Sequence, residues 1–135
     1  MNESAKAKYL GSEFGYRAMQ ISLISEVTTT YFTLLEYNAR LNIAKETVAL
    51  RDSSLEIIQS RYNSGIIPEI DLNQAQIQYA IAASSIPQYE RQVKFLEHAL
   101  SVLVGELPHS FELKSTLDDQ DTTLDIPTGI PAELI

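Results

Sequence analysis

The sequence predicts an all-α fold: a long antiparallel helical hairpin with coiled-coil packing. Three observations carry that reading. No proline falls between Ser4 and Ser64, and no glycine between Gly15 and Gly65, so nothing interrupts a first helix. Apolar residues recur at heptad spacing along that stretch. After one glycine- and proline-bearing break, a second segment repeats the pattern without a lapse.

The first helix covers residues 1–64. Val27, Leu34, Leu41, Val48, Leu55 and Tyr62 stand seven apart. Ile24, Tyr31, Ala44 and Ile58 fill the intervening positions, with Asn38 and Arg51 as lapses. At ~1.5 Å per residue, about sixty residues span roughly 90 Å, far beyond the ~11–12 residues of an ordinary globular helix.

The break, residues 65–67, lies inside "RYNSGIIPEIDLNQAQ". Gly65 suits the left-handed residue that ends a helix. Pro68 suits the first position of the next helix, where Glu69 and Asp71 complement the positive end of the helix dipole. Ile66, Ile67 and Ile70 make the turn apolar and read as buried.

The second helix covers residues 68–104. Leu72, Ala75, Tyr79, Ala82, Ile86, Tyr89, Val93, Leu96, Leu100 and Leu103 alternate spacings of three and four. They face the Leu41–Val48–Leu55 row as an inter-helix seam. Pro87 removes one backbone donor and predicts a kink near Ala83 rather than an end, because the seam continues on both sides. Gly105 and Pro108 then stop the helix. In the tail, 105–135, the alternating "SFELKSTL" predicts a short strand and "IPTGIPAELI" a last helical turn, both packed beside the hairpin.

A second apolar stripe is more informative than the seam. Ile43, Leu50 and Ile57 lie two residues beyond Leu41, Val48 and Leu55, hence about 200° around the helix. Ile77, Ile81, Phe95 and Val102 make a similar off-seam set on the second helix. A two-helix hairpin buries one face of each helix, so apolar residues on opposite faces call for neighbours on both sides. The hairpin then reads as one stave of a larger wall. A three- or four-helix bundle also carries broad stripes, and periodicity alone leaves both open.

Composition excludes several classes. The chain has 135 residues, enough for one domain or a piece of one, with 44% hydrophobic and 21% charged residues. A net charge of −8 disfavours nucleic acid and anionic membrane surfaces. Cysteine is absent, which removes disulfides, thiolate nucleophiles and sulfur-ligated metals. "MNESAKAKYLGSEFGYR" has no apolar core of a signal peptide, and the uncharged run from Leu72 to Tyr89 holds Asn, Gln, Ser and Pro, so it is no membrane span. The chain as given is expected to be soluble.

His98 and His109 are isolated, and "DDQDTTLD" lacks the glycine and closing glutamate of a calcium loop. No nucleophile triad, phosphate loop or carboxylate pair appears. We expect no catalysis, cofactor or metal. Asn73, Gln76 and Ser84 form an uncharged polar face, suited to a channel lining and equally to ordinary solvation.

The ordered set "RYNSG", "IIPEIDLNQAQ", "ALSVLVGELP" and "IPTGIPAELI" resembles the TolC-like outer-membrane efflux proteins, in particular the lipoprotein branch that serves resistance-nodulation-division pumps. The resemblance covers essentially the whole chain. It implies a piece of the periplasmic helical barrel of a longer protein that acts as a homotrimer. A signal peptide, a lipid-bearing cysteine, membrane strands and a second repeat would lie elsewhere in that protein. It implies localisation at the bacterial outer membrane, facing the periplasm. It further implies that the turn, with Arg61, Tyr62, Gly65, Ile66 and Ile67, docks a periplasmic adaptor and through it meets an inner-membrane pump indirectly. Asp71 would help hold the duct closed by contacts with a neighbouring stave. Pro68 departs from the Ser or Thr usual at that helix start, which puts the local cap contact in doubt. The competing reading from the residues is a cytosolic coiled-coil interaction module without a transport role.

Overall fold

A computed structural model describes residues 3–113 together with 116, 117, 119 and 120. Two helices make the fold: α1, Glu3–Asn63, and α2, Glu69–Val104. They pack against each other as one hairpin. No strand occurs among the described residues.

Helix α1 runs 61 residues without interruption. Its polar and β-branched residues are accommodated rather than disruptive. The hydroxyls of Thr28, Thr29, Thr33 and Thr47 donate to carbonyls four residues back at 2.7–2.8 Å, so they are satisfied on the helix itself, sharing acceptors with the backbone ladder. Asn38, a lapse in the heptad row, donates from Nδ2 to the Leu34 carbonyl at 3.0 Å. Glu13–Arg17 and Glu36–Arg40 are ion pairs at i,i+4 with the acid first, the favourable order.

Both helices end the same way. At the tip the Gly65 N–H donates to Tyr62 O at 2.8 Å and the Ile66 N–H to Arg61 O at 3.0 Å. At the far end Gly105 donates to Val102 O at 3.1 Å and Glu106 to Ser101 O at 2.8 Å. These paired bonds close the last carbonyls of each helix around a left-handed residue. Gly65 has φ 70° and Gly105 φ 77°, the two positive-φ residues among those described. At that φ a side chain is strained, which is why glycine punctuates both ends.

Pro68 departs from expectation. It precedes α2 as an extended cap residue, φ −75° and ψ 158°, with α2 beginning at Glu69. Pro68 supplies no side-chain cap; its carbonyl instead accepts the Asp71 N–H at 3.2 Å. Helix α2 continues through Pro87. The burial of residues on both sides holds the segment helical where the missing donor alone would end it.

The core sits near the open end of the hairpin. Leu34, Leu41, Val93 and Leu100 form one buried cluster, with Val27, Tyr31, Ile86 and Leu96 packed around it. Leu34 and Leu41 come from α1, Val93 and Leu100 from α2, so the cluster is shared by both helices. Tyr37 and Tyr89 add an aromatic contact at 6.4 Å between centroids. Lys45 and Glu90 face each other across the helices at 3.7 Å.

Past Gly105 the chain turns back over the hairpin. Phe111 and Leu113 pack against the core cluster. The strand expected in "SFELKSTL" is not formed over Ser110–Leu113, which are irregular. Its physical reason is plain: a strand needs a partner ladder, and the neighbours here are helices whose backbone groups are already bonded. The helical turn expected in "IPTGIPAELI" lies outside the described residues.

Candidate functional site: the hairpin tip and its flanks

The turn between α1 and α2 presents an apolar end to solvent. Ile66 is 65% exposed and Ile70 69%, while Ile67 is half-buried. The turn isoleucines were expected to be buried; two of the three are not. The hairpin is only two helices wide, so side chains on the far side of the turn have nothing to pack against. Ile70 joins Ile66 on this surface and was not among the candidate docking residues. Its sequence signal is its position two residues before Leu72, off the seam.

Gly65 lies at the apex, exposed, and a Cβ added there would meet no atom within 4 Å. Its glycine is therefore required by backbone geometry within this chain and not by internal crowding. The space beside it is open to a partner. Arg61 is exposed and Tyr62 half-buried, their carbonyls spent on the turn.

Asp71 lines a shallow groove of about 200 Å³ with Arg51, Ser54, Ile58, Gln74, Ala75 and Gln78. Arg51, the second lapse in the heptad row, thus lines the same groove between the two helices as the acid. Both side chains are exposed. Asn73, Gln76 and Ser84 are exposed along α2.

Above the tip, the seam closes inward. Leu41 and Val93 are buried, and Val48, Leu55, Ala75, Tyr79, Ala82, Ile86, Tyr89 and Leu96 are partly buried. The off-seam stripe does the opposite. Ile43, Leu50, Ile57, Ile77, Ile81, Phe95 and Val102 are all more than half exposed, Leu50 reaching 71%. Large apolar patches of this kind mark contact surfaces. Among the described residues there is no cluster of metal-ligating side chains, and no helix is long and apolar enough to cross a membrane.

Comparison with known proteins fits this geometry. A sequence model of the outer membrane efflux protein family matches residues 1–106, which hold the whole hairpin. The chain belongs to the outer membrane efflux protein family. Over its entire length it is 32% identical to the toluene efflux pump outer membrane protein TtgF of Pseudomonas putida, of which it covers 28%. It is 31% identical, again over its entire length, to the solvent efflux pump outer membrane protein SrpC of Pseudomonas putida, covering 29% of it. The cation efflux system protein CusC of Escherichia coli is 25% identical over the full chain, which covers 29% of that protein. The chain therefore spans less than a third of the length of these efflux proteins. All three are named as efflux components, and none as an enzyme.

Proposed function

We propose that this chain is a periplasm-facing helical segment of an outer-membrane efflux channel. It forms part of the wall of a trimeric exit duct and docks a periplasmic adaptor at its tip. The observation that carries the reading is the second apolar stripe. The seven large apolar residues of this stripe are exposed while the seam residues are buried or partly buried, so each helix has a face that only further helices can cover. A wall of staves supplies such neighbours on both sides. Family membership favours this over a coiled-coil module unconnected with transport.

The tip fits the docking role. Ile66 and Ile70 give it apolar area, and Gly65 lets a partner's backbone come close. Asp71, exposed in the groove that Arg51 also lines, is a candidate for holding neighbouring staves together when the duct is closed. The segment supplies a conduit and a contact surface, with no chemistry of its own. The inner-membrane pump is met through the adaptor.

The test is Gly65→Arg in the full-length parent. Trimer should persist in cell envelopes while resistance to exported solvents or metal ions is lost. Loss of the trimer would make Gly65 a folding residue only. Full resistance with normal trimer would remove the docking role.

A further inference from the structure

We propose that residues 106–113 are a strap that fixes the splay of the hairpin's open end, with Glu97 as its positioning residue. The starting observation is where the buried polar groups fall. Glu97 and Ser101 are the two buried polar side chains among the described residues, one helical turn apart on α2. A buried carboxylate is costly unless it is paired and hydrogen-bonded, so its partners indicate what it is for.

Both residues hold the same segment. Lys94 Nζ donates to Glu97 Oε2 at 2.8 Å and to Ser110 Oγ at 2.7 Å, and Ser110 Oγ lies 3.4 Å from the same carboxylate oxygen. Lys94 thus joins the helix carboxylate to the strap hydroxyl. Ser101 Oγ, wholly buried, donates to Glu97 O at 2.9 Å and accepts the His109 N–H at 3.4 Å. Gly105 reverses the chain so that Ser110 returns over the helix turn that carries Glu97.

The strap reaches both helices. Its polar anchors are on α2, whereas Phe111 and Leu113 pack on a cluster that includes Leu34 and Leu41 of α1. Leu113 also lines a groove with Leu35, Asn38, Ala39 and Ile43 of α1. Covalent connection holds the helices together at the tip; the strap does so at the other end. A change in their separation at the open end must first release the strap from Glu97 or from Leu34. The proposal holds whether or not the tip meets a partner.

The experiment uses Lys94→Met and Ser110→Ala in the full chain, since both residues are exposed and their loss leaves the apolar core intact. Lys45→Met, which removes the ion pair that does run between the two helices, is the control. Amide exchange at His109 reports strap release. Because the chain has no cysteine, paired spin labels at Thr29→Cys and Val102→Cys report the open-end separation. Both strap variants should speed His109 exchange roughly ten- to hundredfold, the range for losing a hydrogen bond to a charged group. They should broaden the label distance while tip amides and helicity stay as in the parent. The control should change neither readout. Unchanged His109 exchange would overturn the proposal. So would equal acceleration at the tip, which would mean general destabilisation, or an equal effect of Lys45→Met.

Discussion

At the open end, Leu34, Leu41, Val93 and Leu100 bury one another and a third layer, Phe111 and Leu113, lies on them. Between residues 45 and 92, Leu72 is the one buried residue, although the same two helices continue with the same heptad pattern. The difference is in the number of layers. Two helices alone can shield one stripe each, and side chains such as Val48 and Ile58 on that stripe remain partly open to solvent from the sides. A third element closes those sides. The tip half is therefore built to be finished by other chain segments, whereas the region around the Leu34 cluster is closed within this one; the first turns of α1 beyond it, with Phe14, Met19 and Ile21 exposed, are again left open.

The largest test of that contrast is a cavity. Leu34 is 0% exposed, so Leu34→Ala should cost about 2–5 kcal/mol. Leu55→Ala, at a half-buried seam position of the tip half, should cost less than half as much. Urea midpoints of the two variants measure the difference, and equal losses would erase the distinction between the halves.

A smaller effect is expected at the apex. Gly65→Ala meets no atom within 4 Å but must adopt φ 70°, which costs roughly 1 kcal/mol for a residue with a Cβ. The same denaturation experiment should show a modest shift with unchanged slope. A loss as large as that of Leu34→Ala would show crowding at the tip.

Smaller still for folding is the off-seam stripe. Leu50→Glu combined with Ile57→Glu changes exposed residues and should move stability by no more than about 0.5 kcal/mol per site. Self-association should weaken clearly, because the parent leaves these apolar side chains in water. Sedimentation at high concentration reads this. A parent that stays strictly monomeric would remove the reason for neighbours on both sides.

The smallest effect is local and belongs to the open end. Asp119 accepts the Thr116 N–H at 3.0 Å and the Thr116 hydroxyl at 2.7 Å, and these bonds hold its carboxyl below the usual carboxylate range. A depressed folded-state value means the contribution is fully present above the unfolded value and fades as pH falls through the folded one. Acidification into and below the carboxylate range should therefore lower the protection of the Thr116 amide, read against the intrinsic exchange rate at each pH, and leave the protection of tip amides unchanged. A response at neutral pH would contradict the assignment.

Much of this was legible before any coordinates. Glycine placement marked both helix ends, because a left-handed residue at C′ is a local requirement that no distant contact can waive. The row Leu41, Val93 and Leu100 read as interior because period alone puts those residues on one face. The off-seam stripe read as a surface in need of cover for the same reason. The fate of the isoleucines at the turn was not legible. An apolar triplet looks buried in sequence, yet Ile66 and Ile70 project from the end of a structure two helices wide. The "SFELKSTL" alternation misled in a similar way. Period two marks strand residues only where a partner ladder exists, and among the described residues, Ser110–Leu113 included, none does.

What the sequence by itself determined was the pair of helices, the glycines that end them and the seam between them from Val27 onward, all set by local backbone preference and periodicity. Tertiary structure decided how far that burial goes. It put Leu34 at 0% exposure and left Leu50 at 71% on the same helix. It also brought Ser110 back to Glu97 and Phe111 onto the Leu34 cluster. Those contacts join residues more than a dozen positions apart around an irregular segment, where no repeating pattern records who will meet whom. Burial is a property of the number of layers around a side chain, and only the folded chain fixes that number.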